Sequence, residues 1–267
     1  MSAGGLCHLR SVGRRQRTIP RMGALREGSF EVEVEHRTLV IDGFEVPVVH
    51  ARPEGMPKAG VVVHPDIFGN RPLFDDIARR LATRGLAVAC VEPFARVSES
   101  ERAVAGADAG ARFGWVPDLD DATQLGDLAA AADLLVVEDD VSRVGVLGFC
   151  MGGFYALKAA ATDRFDAAVA FYGMITVPDA WKGPGQHSPL ETAADACPTL
   201  AVFGSIDQWS PPAEIDALRT AWSGRDDCEI VVVDGADHGF VHDPDRPAHR
   251  ADDAAAMWER AIAFLLG

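Results

Sequence analysis

Short apolar runs that alternate with amphipathic segments limit most strongly how this chain can fold. GVVVH at 60–64 is typical of a strand buried on both faces, and residues 72–84 show helical periodicity, with Asn70 as the expected cap. Further strands are predicted at 86–91, 144–147, 167–171, 200–203 and 229–233, and further helices at 121–137, 151–161, 212–222 and 251–266. Residues 31–50 predict a hairpin around Asp42-Gly43. This order predicts an α/β fold with a mostly parallel central sheet and helices on both faces.

Composition restricts the domain organisation and the partners. A chain of 267 residues can bury one large core, and a net charge of −15 argues against a nucleic-acid partner. No apolar stretch is long enough to span a membrane. Residues 1–26 hold six arginines and no acid. We expect a disordered basic extension there, with a transit peptide as the alternative and Met22 as a possible start, followed by one domain at 27–267.

The five cysteines are odd in number, widely spaced and without a CxxC pair. Neither a zinc site nor a redox pair is therefore indicated. Reduced thiols fit a cytoplasmic protein best.

The segment VGVLGFCMGG at 144–153 combines a strand, a tight turn and a helix start. Its glycines at 148 and 152 permit the close backbone approach that a strained nucleophile turn requires. Cys150 would then lie at a helix amino terminus, which favours the thiolate, and the amide of Met151 would face a developing oxyanion. The alternative is a buried structural cysteine in a glycine-rich turn.

Two later strands are each followed by a residue that can complete a triad. Asp207 follows the strand at 200–203, and His238 follows the strand at 229–233. The chain order of nucleophile, acid and histidine is that of α/β hydrolases. His238 would take the thiol proton and later activate water, while Asp207 fixes its tautomer. Asp237 is a competing acid, but adjacent side chains seldom face each other productively.

The loop HPDIFG at 64–69 directly follows the first buried strand. In such folds this loop supplies a second oxyanion donor, for which the amide of Ile67 is the candidate. Asp66 would then lie close to the thiol. The alternative for Asp66 is a solvated acid that caps the next helix.

Together these segments resemble the dienelactone hydrolase family over about residues 31–267. The matching segments are HPDIFG (64–69), VEPFAR (91–96), GFCMGG (148–153), FYG (171–173), GSIDQWSPP (204–212) and DHGF (237–240). Family members hydrolyse dienelactone, a ring-cleavage product of chlorinated aromatics, without a cofactor. The resemblance implies an α/β-hydrolase fold, Cys150 as nucleophile, His238 and Asp207 as its partners, and the amides of Ile67 and Met151 as oxyanion donors.

Two positions depart from the family pattern. A glutamate that regulates the thiol in family members is matched by the shorter Asp66, whose pKa should be raised by a neighbouring thiolate. Family members also bind the substrate carboxylate with arginines. Arg96 matches one of them, but the other is His242, which lacks the permanently charged fork of arginine. The resemblance therefore implies an activated ester or lactone that need not be dienelactone.

The loops at 92–120 and 173–197 follow predicted strands, where ligand-binding loops lie in open α/β sheets. Trp115, Tyr172 and Trp181 are candidate substrate contacts, with ordinary packing as the alternative for each. A small-molecule ester or lactone is the expected partner of a monomer or homodimer. The competing functions are a general carboxylesterase or thioesterase, a non-catalytic binding protein on the same scaffold, and a thiol redox sensor.

Overall fold

The computed structural model describes residues 24–267. The extension that the sequence predicts at 1–26 lies outside the described residues, except for residues 24–26. The strands are β1 (Val32–Ile41), β2 (Phe44–Pro53), β3 (Ala59–His64), β4 (Leu86–Val91), β5 (Val144–Phe149), β6 (Ala167–Phe171), β7 (Thr199–Gly204) and β8 (Cys228–Val233). The α-helices are α1 (Pro72–Thr83), α2 (Glu99–Ala105), α3 (Ala109–Phe113), α4 (Asp121–Glu138), α5 (Met151–Ala159), α6 (Pro212–Ala221) and α7 (Ala251–Leu266).

The strands form one sheet in the order β1-β2-β4-β3-β5-β6-β7-β8. The hairpin of β1 and β2 is antiparallel and joins β4 in antiparallel register, whereas the pairs from β4 to β8 are parallel. Every residue of β3, β4 and β5 is buried, as expected for central strands that are covered on both faces. The predicted mostly parallel sheet is confirmed.

Helices cover both faces of the sheet because each one carries an apolar stripe. One core contains Phe74 of α1 and Trp258 of α7, and the other contains Leu128 of α4, Phe154 of α5 and Leu218 of α6. Leu25 is also buried in the first of these cores, so the packed part of the described chain includes this residue. None of the helices between residues 24 and 267 is long and apolar enough to cross a membrane.

Two local expectations are corrected by the structure. Asn70 does not cap α1, because its side-chain amide donates to the carbonyl of Cys90 (3.2 Å) and Arg71 holds the cap position. The stretch at 92–120 is also more ordered than a loop. It contains α2, which begins with a capping box between Ser98 and Glu101, and α3, which is capped by Asp108.

Contact between backbones positions the turn after β5. A Cβ atom added to Gly148 would lie 1.9 Å from the carbonyl oxygen of Gly152, and one added to Gly152 would lie 2.0 Å from the carbonyl oxygen of His64. A Cβ on Gly153 would lie 2.8 Å from the Cα atom of Gly173. The turn, the loop after β3 and the loop after β6 can therefore meet only through glycine.

Gly148→Ala is expected to lower the free energy of unfolding by about 1–3 kcal/mol, because the added methyl group overlaps backbone that cannot move independently. Gly126→Ala is the matched control, since Gly126 is exposed on α4 and its added Cβ would meet no heavy atom within 4 Å. The control should gain about 0.5–1 kcal/mol from helix propensity. Urea unfolding of both variants measures the difference, and a Gly148→Ala protein as stable as the wild type would contradict this account.

Candidate active site

Cys150 occupies the turn between β5 and α5 in a strained backbone conformation. Its φ of 57° and ψ of −117° lie in a region that non-glycine residues seldom adopt. The strain is held by the Cys150 amide, which donates to the carbonyl of Phe171 (3.0 Å), and by its carbonyl, which accepts from the amide of Phe154 (3.0 Å). Cys150 is 8% exposed at the carboxyl end of a central strand. The turn therefore presents the thiol at the amino terminus of α5.

His238 is held by the acid that the sequence favours. Its Nδ1–H donates to Oδ2 of Asp207 (2.9 Å), and the other carboxylate oxygen accepts from the amide of Trp209 (2.9 Å). Asp237 instead accepts from the backbone amide of His238 (2.7 Å). Because Nδ1 is committed to Asp207, the remaining ring nitrogen is the one available to Cys150.

The charge of the sulfur and that of the carboxylate govern the protonation of His238. Burial alone would lower its pKa, but the negative charge of Cys150 and the hydrogen bonds to Asp207 and Cys150 raise the pKa to about 10. His238 is thus an imidazolium at neutral pH.

The loop after β3 lies against the cysteine turn. The close contact of Gly152 with the carbonyls of His64 and Pro65 brings the loop to the start of α5. Ile67 stands within a tight turn in which the amide of Gly69 donates to the carbonyl of Asp66 (3.0 Å). The two predicted oxyanion donors, Ile67 and Met151, therefore belong to backbone segments in direct contact.

Asp66 is committed to other partners. Its two carboxylate oxygens accept from Arg71 (2.6 and 2.9 Å), from Nε2–H of His242 (2.8 Å) and from the amide of Phe68 (3.0 Å). Burial opposes ionisation, but the hydrogen bond from His242 and the hydrogen bonds and charge of Arg71 hold the pKa of Asp66 well below its ordinary value. The predicted raised pKa is wrong, because a cation and a hydrogen-bond donor stabilise the carboxylate.

His242 and Tyr172 extend this hydrogen-bonded chain inward. With Nε2–H of His242 donating to Asp66, the Tyr172 hydroxyl donates to Nδ1 of His242 (2.5 Å). Burial lowers the pKa of His242, so the ring is neutral and does not replace the charge of the family arginine. Tyr172 is fully buried, and its ring lies edge-on to that of His238, with centroids 5.1 Å apart.

The remaining predicted contacts differ in where they lie. Arg96 binds Asp127 through both terminal nitrogens, and its guanidinium lies 5.2 Å from the ring centroid of Phe44 in the hairpin, so the structure does not bring it to the triad. Trp115 packs edge-on against Phe94 (5.4 Å). Trp181 is buried against aromatic neighbours, among them Trp209 (5.9 Å) and Phe154 (6.1 Å), and makes no ring contact with His238 among the described residues.

Sequence reasoning missed Trp209 and Phe113 as neighbours of the site. Trp209 is 39% exposed, and its ring lies 6.3 Å from that of His238 and stacks on Phe113 at 6.2 Å. A tryptophan two positions after the triad acid, in a polar loop, was the available signal. Arg71 was also missed, although it is the cation that neutralises Asp66.

Comparison with known proteins identifies the family of this chain. The family model described as "Dienelactone hydrolase family" matches residues 46–266. The chain belongs to the dienelactone hydrolase family. The predicted hydrolase class is confirmed by this membership, as is the resemblance on which it was based.

Individual relatives extend over most of the chain. A "Carboxymethylenebutenolidase" of Rhodococcus opacus is 32% identical over 223 residues, which are 82% of this chain and 85% of the relative. A solved Klebsiella pneumoniae structure named "Putative Dienelactone Hydrolase" superposes with a TM-score of 0.80 at 28% identity and covers 88% of this chain and 98% of that one. The dienelactone hydrolase of Anabaena variabilis shares the fold, with a TM-score of 0.58 at 18% identity over 87% and 96% of the two chains. The predicted α/β-hydrolase fold is thereby confirmed.

Cys150→Ala is expected to lower the pKa of His238 from about 10 towards its ordinary value, because the variant removes the sulfur charge that raises it. Titration of the ring carbon and nitrogen resonances by NMR measures the shift. Cys228→Ala, a cysteine at the amino end of β8, is the matched control and should leave the His238 titration unchanged. An unchanged titration in Cys150→Ala would show that the two groups are not coupled.

Proposed function

We propose that this protein hydrolyses activated esters or lactones through a Cys150–His238–Asp207 triad and an acyl-enzyme thioester. The observation that carries the proposal is the arrangement of His238, which is held by Asp207 through one ring nitrogen and coupled to Cys150. A structural cysteine would not require a strained φ at a helix amino terminus or a histidine oriented by a buried acid.

In the first half-reaction, the Cys150 thiolate attacks the carbonyl carbon and the carbonyl electron pair moves onto oxygen. The amides of Ile67 and Met151 are the proposed donors to this oxyanion, an interaction commonly worth about 3–4 kcal/mol in the barrier. When the carbonyl re-forms, the bond to the leaving oxygen breaks and the acyl group remains on sulfur as a thioester.

In the second half-reaction, acylation itself prepares His238 as a base. Forming the thioester removes the sulfur charge that raises the pKa of His238, so the imidazolium releases its proton to the departing oxygen or to solvent and the ring becomes a neutral base. It then takes a proton from water, the hydroxide attacks the thioester, and the thiolate leaves as the carboxylic acid forms.

The leaving ability of the thiolate also favours activated substrates. In the tetrahedral intermediate the Cys150 thiolate is a better leaving group than an alkoxide, so an unactivated ester returns to substrate more readily than it acylates the enzyme. Enolate and aryloxide leaving groups need little or no protonation. An enol lactone or aryl ester therefore suits the site better than an alkyl ester or an amide.

The kinetic test compares the wild type with Cys150→Ala on 4-nitrophenyl acetate and on a panel of lactones. Cys150→Ala should lose about 10⁴-fold or more in kcat, as removal of a triad nucleophile does in other hydrolases. Cys197→Ala, a half-buried cysteine before β7, is the matched control and should retain activity. Equal activity in wild type and Cys150→Ala would remove the support for the triad, and no activity in either would favour a non-catalytic binding protein.

The same panel separates a lactone hydrolase from a general carboxylesterase or thioesterase. A preference for enol lactones over open-chain aryl esters and acyl thioesters supports the proposal, and the absence of any preference supports the alternative.

Leaving-group dependence gives a further prediction. The wild-type kcat/KM should fall by about tenfold or more from phenyl acetate to ethyl acetate at neutral pH, because the tetrahedral intermediate expels the thiolate in preference to an ethoxide. Steady-state kinetics on the two esters measure the ratio. Equal rates would mean that the enzyme protonates the departing ethoxide effectively and that the leaving group does not restrict the substrate.

A further inference from the structure

The reacting groups are almost closed to solvent although they lie at the edge of the sheet where ligands enter. Cys150 is 8% exposed, and the side chain of His238 is 12% exposed. In open α/β sheets ligands bind outside the carboxyl ends of the strands, so an ester approaches the sulfur from that side. Side chains of the loops at this edge therefore shield both groups.

Two aromatic rings from different loops stack across this edge. Phe113 belongs to α3, in the segment that follows β4, and Trp209 belongs to the loop that follows β7. Their ring centroids are 6.2 Å apart with an angle of 15° between the planes, and the Trp209 ring lies 6.3 Å from that of His238. In the sheet order, β5, which directly precedes Cys150, lies between β4 and β7. The stack therefore bridges the strand end from which the sulfur projects.

The segment that carries Phe113 is fastened to the rest of the protein by few interactions. The flap, residues 98–114, contains α2 and α3. Every hydrogen bond found for the flap among residues 24–267 has its partner within 94–115. The helices α2 and α3 each bury a single residue. A segment with so few buried contacts opens at a lower free energy than the core of the protein.

Ring contacts dock the flap onto the neighbouring loops. Phe113 contacts Trp181 (6.0 Å) as well as Trp209, and the Arg112 guanidinium packs on Phe94 (5.8 Å). Trp209 is 39% exposed and Phe113 is half-buried, so both rings already border solvent. Separating these two rings therefore exposes one face of each and breaks no hydrogen bond found between residues 24 and 267.

We propose that Phe113 and Trp209 are specificity-determining residues, whose stack is a gate over Cys150 and limits the size of the acyl group that reaches the sulfur. A small acyl group passes beside the closed stack, whereas a long or branched one requires that the rings separate and the flap move outwards. The free energy of this opening then opposes only large substrates. The gate rests on the proposed function for its substrates, but access to the sulfur is measurable without hydrolysis.

Esters of graded size test the gate. Values of kcat/KM for 4-nitrophenyl acetate, hexanoate and trimethylacetate are measured for the wild type, Phe113→Ala and Trp209→Phe. Phe113→Ala should raise the ratios of hexanoate and of trimethylacetate to acetate by about tenfold, which is the order of size discrimination in an apolar pocket. Intrinsic differences in ester reactivity cancel when the ratios are compared between variants.

Trp209→Phe keeps a ring in the stack and preserves the backbone amide that donates to Asp207. Its ratios should lie closer to those of the wild type than to those of Phe113→Ala. Phe44→Ala is the matched control, because Phe44 is a 51% exposed phenylalanine in the β1–β2 hairpin, where its ring contacts Arg96. The control should keep the wild-type ratios.

Alkylation of Cys150 measures access to the sulfur without hydrolysis. Iodoacetamide and the bulky N-(1-pyrenyl)maleimide are each reacted with the same proteins, and the modified Cys150 peptide is quantified by mass spectrometry. Phe113→Ala should accelerate the pyrenyl reagent relative to iodoacetamide, and Phe44→Ala should leave this ratio unchanged.

Two results would overturn the gate. The first is an unchanged alkylation ratio in Phe113→Ala, and the second is an equal rise in Phe44→Ala, which indicates general loosening. If Phe113→Ala does not fold, Phe113→Leu replaces it, since leucine keeps most of the apolar volume and removes the stacking face. A wild type that hydrolyses none of the esters would contradict the proposed function, while the alkylation ratio still decides whether the gate exists.

Discussion

The active site depends on backbone segments that meet without side chains between them. Gly148, Gly152 and Gly153 let the turn after β5 contact the loops after β3 and β6. These contacts hold Cys150 at a positive φ and bring the amide-bearing segments of Ile67 and Met151 together. A methyl group at any of these glycines would separate segments that must act as one unit. The position of the proposed nucleophile is thus set by packing before any electrostatic interaction contributes.

Charges around this turn are divided into two groups with different roles. Asp207 and the sulfur of Cys150 raise the pKa of His238, so that His238 keeps its proton beside Cys150. Arg71 neutralises Asp66 and His242 donates a hydrogen bond to it, so that Asp66 does not compete for the proton on His238. One acid therefore orients His238, and the second stabilises the loop that carries Ile67. Tyr172 contacts both groups, since its hydroxyl binds His242 and its ring lies against His238.

The sequence was sufficient for features that are encoded locally. Periodicity located the central strands, and the glycine spacing around Cys150 indicated the strained turn. Cys150, Asp207 and His238 each follow a different predicted strand, which predicted that their side chains lie close together. The order of the strands in the sheet places these three strand ends near one another. Side-chain partners brought together by tertiary packing were not predictable in this way. The pairing of Arg96 with Asp127 joins segments 31 residues apart, and the pKa of Asp66 depends on His242, which lies 176 residues away. Trp209 carried a local signal, but its contact with Phe113 requires the packed loops.

Trapping the acyl-enzyme tests the central claim most directly. The wild type is mixed with excess 4-nitrophenyl acetate, quenched in acid within the first turnovers, digested and examined by mass spectrometry. This account predicts an acetyl group on the peptide that contains Cys150, released by hydroxylamine as a thioester is, and absent when Asp207 and His238 are intact but Cys150 is replaced by alanine. An acetyl group on another residue during full turnover, or turnover that persists in Cys150→Ala, would contradict it.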